Sequence, residues 1–210
     1  MYLIKQLNKS NAAEVNIIRK QSYAQAKGMK VKDEGIFWNQ SDEQSIVFGV
    51  FHRDHLIATM RGEIITDLPL IEKKMECPWT YGDLELPSMI LSKAAVKSNY
   101  QNKGLTSVLR LIFFQLAQRW HIKTILGTMT ANSLRINGMK ALGYTFVENP
   151  IGWKDDNYMS SEKVLISILD FDQFGASSLQ VLNKKYKNYM KENFSLDFTS
   201  ISYNEVKVVS

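Results

Sequence analysis

The chain has few residues that could staple or puncture a fold. It holds one cysteine, Cys77, among 210 residues, so an internal disulfide is excluded and a reducing compartment is expected. No apolar run approaches the roughly 20 residues that span a bilayer. The opening MYLIKQLNKSNAAE has no apolar stretch of the kind signal peptides carry. A cytoplasmic protein without a membrane span is therefore expected. The three histidines and the lone cysteine show no metal-ligand spacing, so no metal is expected. Repeats, low-complexity stretches and Pro/Gly/Ser-rich linkers are all missing, which argues for one domain. Of only four prolines, three (Pro69, Pro78 and Pro87) fall in one irregular segment, Asp67 to Pro87. An excursion of that length is uncommon unless it has a task.

What is present is ordinary for a globular protein: 45% apolar and 22% charged residues. The formal charge of +5 suits phosphates, an acidic carrier protein or nucleic acid as partners, and equally a solvated lysine-rich surface. The basic residues are dispersed, with no helix-turn-helix and no aromatic-basic platform, so nucleic acid is not expected.

Strand-like and helix-like segments alternate. Tyr2 to Leu7 reads as a strand. Asn11, with Glu14 three residues on, has the spacing of a capping box and opens a helix to about Lys27, before Gly28. Ile46 to His52 and Leu56 to Thr66 flank Arg53-Asp54-His55 and predict an antiparallel hairpin. A short helix is expected at Leu70 to Met75. Lys163 to Phe171 is a further strand, and Ser177 to Phe194 a helix rich in Lys and Tyr, followed by a frayed tail.

The stretch from Ile90 to Tyr144 carries the most information. A strand runs into the polar loop Gln101-Asn102-Lys103-Gly104-Leu105-Thr106, which opens directly into a helix. Apolar residues Leu105, Val108, Leu109, Ile112, Phe113, Leu116, Ala117 and Trp120 form one stripe along that helix, with Phe114 off it. A second strand, Thr124 to Met129, and a second helix, Asn132 to Gly143, follow. Gly138 inside that helix points to a close backbone approach or a packing contact. A loop that feeds a helix N-terminus offers unpaired N–H groups at the positive end of the helix dipole, an anion site suited to a phosphorylated carrier.

This block resembles the donor-binding core of the GNAT acyltransferase superfamily. Gln101, Gly104 and Thr106 stand where that family has Gln or Arg, Gly, and Gly or Ala. Asn132, Gly143 and Tyr144 match its second helix. The resemblance implies a mixed α/β (α+β) fold, with a mostly antiparallel central sheet flanked by helices. Here a GNAT-like domain over 1–175 would carry a C-terminal helix and tail over 176–210. It also implies an acyl-CoA donor, most simply acetyl-CoA. Residues 101–106, with Asn132, would hold the donor, and main chain near Ala94, Ala95 and Val96 would polarise the thioester carbonyl.

Two expected side chains are missing. Ile90 stands where many members have a Glu that activates the amine, and Met139 where many have a Tyr that protonates the thiolate. Asp83 and Glu85, just before the strand, are the nearest substitute carboxylates. Arg61 and Glu63 share one strand face with Thr59, as substrate-binding groups or a solvent-face pair. Cys77 has no evident base partner. A narrower resemblance is to N-acyl amino acid synthases and acyl-homoserine-lactone synthases. There, Arg61 keeps its place, and the family's Glu-x-Ser-Arg becomes Ile90-Leu91-Ser92-Lys93, retaining Ser92. Phe113, Phe114, Met129, Met139 and Trp153 could line an acyl tunnel or simply pack.

Three functions follow. The first is acyl transfer from acyl-CoA to a small-molecule amine. The second is long-chain acyl transfer from the phosphopantetheine of acyl carrier protein, docked on Lys97, Lys103, Arg110 and Lys140. The third is a non-catalytic acyl-CoA-binding domain. The C-terminal helix is open to three tasks: covering a sheet edge, shaping the acceptor site or joining a homodimer.

Overall fold

The computed structural model describes residues 1–25, 29–151, 158–160 and 163–197. In chain order the elements are β1 (Tyr2–Gln6), α1 (Ala12–Ala24), β2 (Met29–Val31), α2 (Asp33–Ile36), α3 (Gln40–Glu43), β3 (Ile46–His52), β4 (His55–Ile65) and α4 (Leu68–Met75). Next come β5 (Ser88–Val96), α5 (Leu105–Arg119), β6 (Thr124–Thr130), α6 (Ile136–Lys140), β7 (Thr145–Glu148), β8 (Tyr158–Ser160), β9 (Val164–Asp170), α7 (Phe171–Asn193) and β10 (Phe194–Asp197). Eight strands form one sheet in the order β10-β1-β3-β4-β5-β6-β9-β7, and β2 pairs β8 separately. Within the large sheet only β1/β10 and β5/β6 are parallel. The fold class is the one expected: mostly antiparallel, with helices on both faces and a long C-terminal helix.

The β3–β4 hairpin forms where expected because its signals are local. Arg53 and Asp54 both take positive φ, 50° and 62°, which matches the right-handed strand twist of a two-residue turn. Along β4 the side chains alternate. Met60 and Ile64 pack in the core beneath α5, while Ile65 packs with Ile71 and Met75 of α4 on the other face. Gly62 lies on the α5 face, and a Cβ there would run into the Phe113 ring. Gly62→Ala is therefore expected to cost about 1–3 kcal/mol through overpacking, visible as a melting temperature several degrees lower. A variant as stable as the parent would contradict this packing.

The stripe of α5 lies on the sheet as the periodicity implies. Phe114, off the stripe, meets Phe171 (ring centroids 5.3 Å apart) and Tyr144 (6.4 Å). This second contact exists because α7 covers the flank of α5, with Leu179 and Leu182 in the same core.

Four expectations need correction. The capping box joins Asn8 and Asn11 around a 3-10 turn at Lys9–Asn11, while Asn11 makes no side-chain cap for α1. Glu14 instead accepts from the Leu56 N–H at 3.4 Å. The expected end of α1 at Lys27–Gly28 lies outside the described residues. The second central helix is only Ile136–Lys140; Asn132 does not begin it, because its Oδ1 accepts the Thr130 hydroxyl at 2.8 Å within a turn. Gly138 has open space where a Cβ would stand, so no close approach explains it. Finally, α7 starts at Phe171, whose ring is buried, and leads into an unexpected strand, β10, paired with β1.

Candidate active site

The site begins where two neighbouring strands part. β5 and β6 pair only at Ser88–Thr124, Met89–Ile125 and Ile90–Leu126. Beyond that point β5 stays with β4 up to Val96, and β6 stays with β9 up to Thr130. Each strand follows its antiparallel partner, so a wedge opens between them.

The lip of the wedge carries a bulge. Arg61 faces Ser92 and Thr59 faces Ala95, which leaves Met60 opposite both Lys93 and Ala94. Lys93 has φ 49°, the left-handed conformation that such an extra residue can require. The bulge cancels one alternation, so Ser92 and Lys93 reach the same face. Ser92 Oγ accepts from Arg61 Nε at 3.0 Å, and Lys93 Nζ donates to Asp42 Oδ2 at 3.1 Å and to the Phe37 carbonyl at 3.3 Å.

At the mouth of the wedge the chain turns through a 3-10 turn, Ser98–Tyr100, into α5. Asn102 and Gly104 take φ 60° and 74°. Gly104 is the N-cap and has no side chain to cap the helix. Its carbonyl accepts from Ser107 and Val108. Among the described residues, no protein acceptor takes the N–H groups of Asn102, Lys103, Gly104, Leu105 or Thr106. Gln101 Nε2 donates to Gln25 Oε1 at 3.1 Å, and Lys103 Nζ stands 4.9 Å from the Tyr100 ring centroid. The space beside Gly104 belongs to α7: a Cβ there would lie 2.8 Å from Tyr186 Cε1. That glycine makes room for a tyrosine ring, a reason the loop motif did not disclose.

Behind the wedge, on the face opposite α5, lies a buried ionic cluster. Arg19 of α1 donates to Asp42 of α3 at 2.7 Å and to the Ile36 carbonyl at 3.1 Å. Arg61 Nη1 is 4.0 Å from Asp42 and Nη2 is 3.8 Å from Glu63 Oε2, while Lys74 Nζ holds Glu63 Oε1 at 2.5 Å. Arg19, Asp42, Arg61, Glu63 and Lys93 are all buried. Four cations thus share two carboxylates, and ions this far from water need partners. Burial alone would push the Asp42 carboxyl up, but the Arg19 hydrogen bond and charge, with Lys93 and Arg61, bring it below its ordinary value. Burial and then Arg61 pull the Lys93 amine down to about 8, against the raising effect of Asp42. Tyr23 of α1 faces the same group: burial raises its phenol, with Arg19, Arg135 and Arg61 pulling the other way.

Arg61, Glu63 and Ser92 are therefore brought together. Ala95 and Val96 pair with β4 beyond the bulge, and the Val96 N–H donates to Ser22 Oγ at 3.4 Å. Ala94 in the bulge is the one of the three that faces no single partner residue. Asp83 and Glu85 are exposed and precede β5 at the end where it still pairs with β6, before the gap opens. The Glu85 carbonyl accepts from the Thr124 and Ser88 hydroxyls. Arg110 does not belong to a surface docking patch with Lys97, Lys103 and Lys140; it is buried and its Nη2 contacts Met139 Sδ at 3.8 Å. Phe113 and Phe114 are committed to the core, and Trp153 lies outside the described residues. Arg19, Asp42, Lys93, Lys74 and Tyr23 were missed as site residues. Arg19 had a signal: it sits four residues after Val15 and next to Ile18, on the buried side of α1.

No protein-family model matches the chain, and no curated protein matches it. Solved structures do. A CoA-dependent acyl-homoserine lactone synthase, BjaI, solved with SAM and isopentyl-CoA, is 12% identical with a TM-score of 0.62, over 96% of this chain and 95% of that one. FeeM, an N-acyl amino acid synthase from uncultured soil microbes, is 14% identical with a TM-score of 0.59, over 88% and 99%. A GNAT-family acetyltransferase from Streptococcus pneumoniae is 14% identical with a TM-score of 0.54, over 80% and 98%. At these identities the likeness is one of fold. The parted strands, the bulge and the amide-lined turn are thus set in a GNAT-like fold.

Proposed function

We propose that the protein is an N-acyltransferase that moves an acyl group, most simply acetyl, from acyl-CoA to the primary amine of a small molecule by direct attack. The observation that carries this reading is the wedge between β5 and β6 with five main-chain N–H groups at its mouth that no acceptor among the described residues takes. In this reading the amides of residues 102–106, with Gln101, Lys103 and Asn132 beside them, hold the donor's diphosphate at the positive end of α5. The pantetheine arm follows the free edge of β5, and main chain at Ala94 polarises the thioester carbonyl. Arg61, steadied by Ser92, meets the acceptor. A cytoplasmic setting, where acyl-CoA is made, belongs to the same reading.

A second reading has its own support. The buried cations outnumber the carboxylates, which suits an acceptor that carries a carboxylate beside its amine. The match to the synthase fold also spans α7 and β10. That reading has acyl carrier protein or a long-chain acyl-CoA as the donor.

Thiol release with acetyl-CoA, long-chain acyl-CoA and acyl carrier protein, each against amines with and without a carboxylate, separates the two. Turnover with acetyl-CoA and simple amines supports the first; turnover only with long chains and amino acids supports the second. CoA binding without turnover would leave a non-catalytic binding domain. A thermal scan that does not move with any donor would overturn both.

A further inference from the structure

Ile90 supplies no carboxylate to the wedge, yet a carboxylate is present at that level of the sheet. Glu63 of β4 faces Ile90 directly across the β4–β5 ladder, a pairing that sets Cβ atoms about 5 Å apart. Ile90 is also the last β5 residue to pair with β6. The Glu63 side chain is therefore one strand from the point where the gap opens, on the face that carries Ser92 and Lys93. Its two oxygens differ. Oε1 is held by Lys74 Nζ at 2.5 Å, whereas Oε2 is buried and has no hydrogen-bond donor among the described residues. Arg61 Nη2 stands 3.8 Å from Oε2. A buried carboxylate oxygen left without a donor is costly, and an amine is the donor it lacks.

We infer that Glu63 is the general base of the reaction, and that Lys74 positions it. This rests on the acyl-transfer reading above. The acceptor enters as an ammonium and gives one proton to Glu63 Oε2. The freed nitrogen lone pair attacks the thioester carbon, forming the C–N bond. The C–S bond then breaks with its electron pair passing to sulfur, and the second nitrogen proton neutralises the thiolate. Glu63 returns its proton to solvent. Amide, thiol and one proton balance ammonium and thioester. The inference also gives a task to the excursion between Thr66 and Pro87, since α4 within it delivers Lys74.

The charged groups that bear on Glu63 are Lys74 from α4 and Arg61 from its own strand. Beyond Arg61 stand Asp42 from α3, Lys93 from β5 and Arg19 from α1.

The test is Glu63→Gln, which keeps the shape and an oxygen for Lys74. Steady-state thiol release should show kcat down by about 100-fold or more, the size of a lost general base, with donor affinity by calorimetry within about twofold. The remaining rate should climb about tenfold per pH unit, because only amine already neutral in solution reacts. Glu63→Asp, which keeps the charge, should recover part of kcat, and Lys74→Met should move the acidic limb of the pH–rate profile upward. A Glu63→Gln enzyme with kcat within about threefold and an unchanged pH profile would overturn the assignment. So would Glu63→Asp and Lys74→Met variants that melt earlier but keep the parent pH profile. No turnover by the parent with any amine would instead overturn the acyl-transfer reading, and this assignment with it.

Discussion

Asp42→Asn is expected to be the most damaging single substitution in the chain. The carboxylate is fully buried and is the shared counter-ion of Arg19, Lys93 and Arg61. Removing one partner of a buried pair leaves the other charge uncompensated and costs about 3–5 kcal/mol. For a domain of this size each kcal/mol moves the melting temperature by about 2–4 °C, so a fall of about 10 °C or more should appear in thermal denaturation followed by circular dichroism. The pH dependence has a definite sign. Asp42 titrates below its ordinary value in the folded chain. Its contribution is therefore complete above the unfolded value of about 4 and is lost as pH falls through the folded one. Lys93 acts oppositely. Its amine is drawn down to about 8, against about 10.4 when unfolded, so the unfolded chain binds the extra proton and stability rises with pH across that interval. Without Asp42, nothing in the cluster raises the Lys93 amine as strongly, and the variant should recover more stability at alkaline pH than the parent does. A variant melting within about 2 °C of the parent would show that the cluster does not depend on its acid.

The second large effect is on donor binding. Gly104→Asp is a poor test, because a side chain there meets Tyr186 and must adopt φ 74°; lost binding would be confounded with lost structure. Thr106→Asp separates the two. Residue 106 lies in the first turn of α5, where an acidic side chain complements the helix dipole and stabilises by about 0.3–1 kcal/mol. The same carboxylate would stand at the mouth of the wedge, against the diphosphate. Repulsion over a few ångströms near a protein surface amounts to about 2 kcal/mol or more, an affinity loss of about 30-fold. The expected outcome is an unchanged or slightly raised melting temperature with CoA affinity reduced by that factor. Equal affinity in calorimetry would remove this turn from the donor site.

The legible parts of the molecule are those whose cause lies within a few residues. The β3–β4 hairpin follows from two apolar runs and the Arg53-Asp54 turn. The packing of α5 follows from its stripe, and the amide-rich turn from Gln101 to Thr106 follows from a strand, a polar loop and a helix in succession. The illegible parts depend on partners far along the chain. Asp42 meets Arg19 across 23 positions and Lys93 across 51, and no local pattern announces either contact. Asp83 and Glu85 looked suitable because they are near the strand in sequence, but the strand itself carries them to its far end. Glu63 was visible as a charged residue on a strand face; that it faces Ile90, and that one of its oxygens has no hydrogen-bond donor among the described residues, depends on the β4–β5 register.

By itself the sequence determined the β3–β4 hairpin, the apolar faces that must be buried and the position of the amide-rich turn, because periodicity and turn chemistry are properties of short segments. Only the tertiary structure decided which charges share the interior and which carboxylate stands beside the wedge. Strand register and one extra residue at Lys93 fix where every side chain on β4 and β5 points, and shifting either by a single position would send those groups to the opposite face.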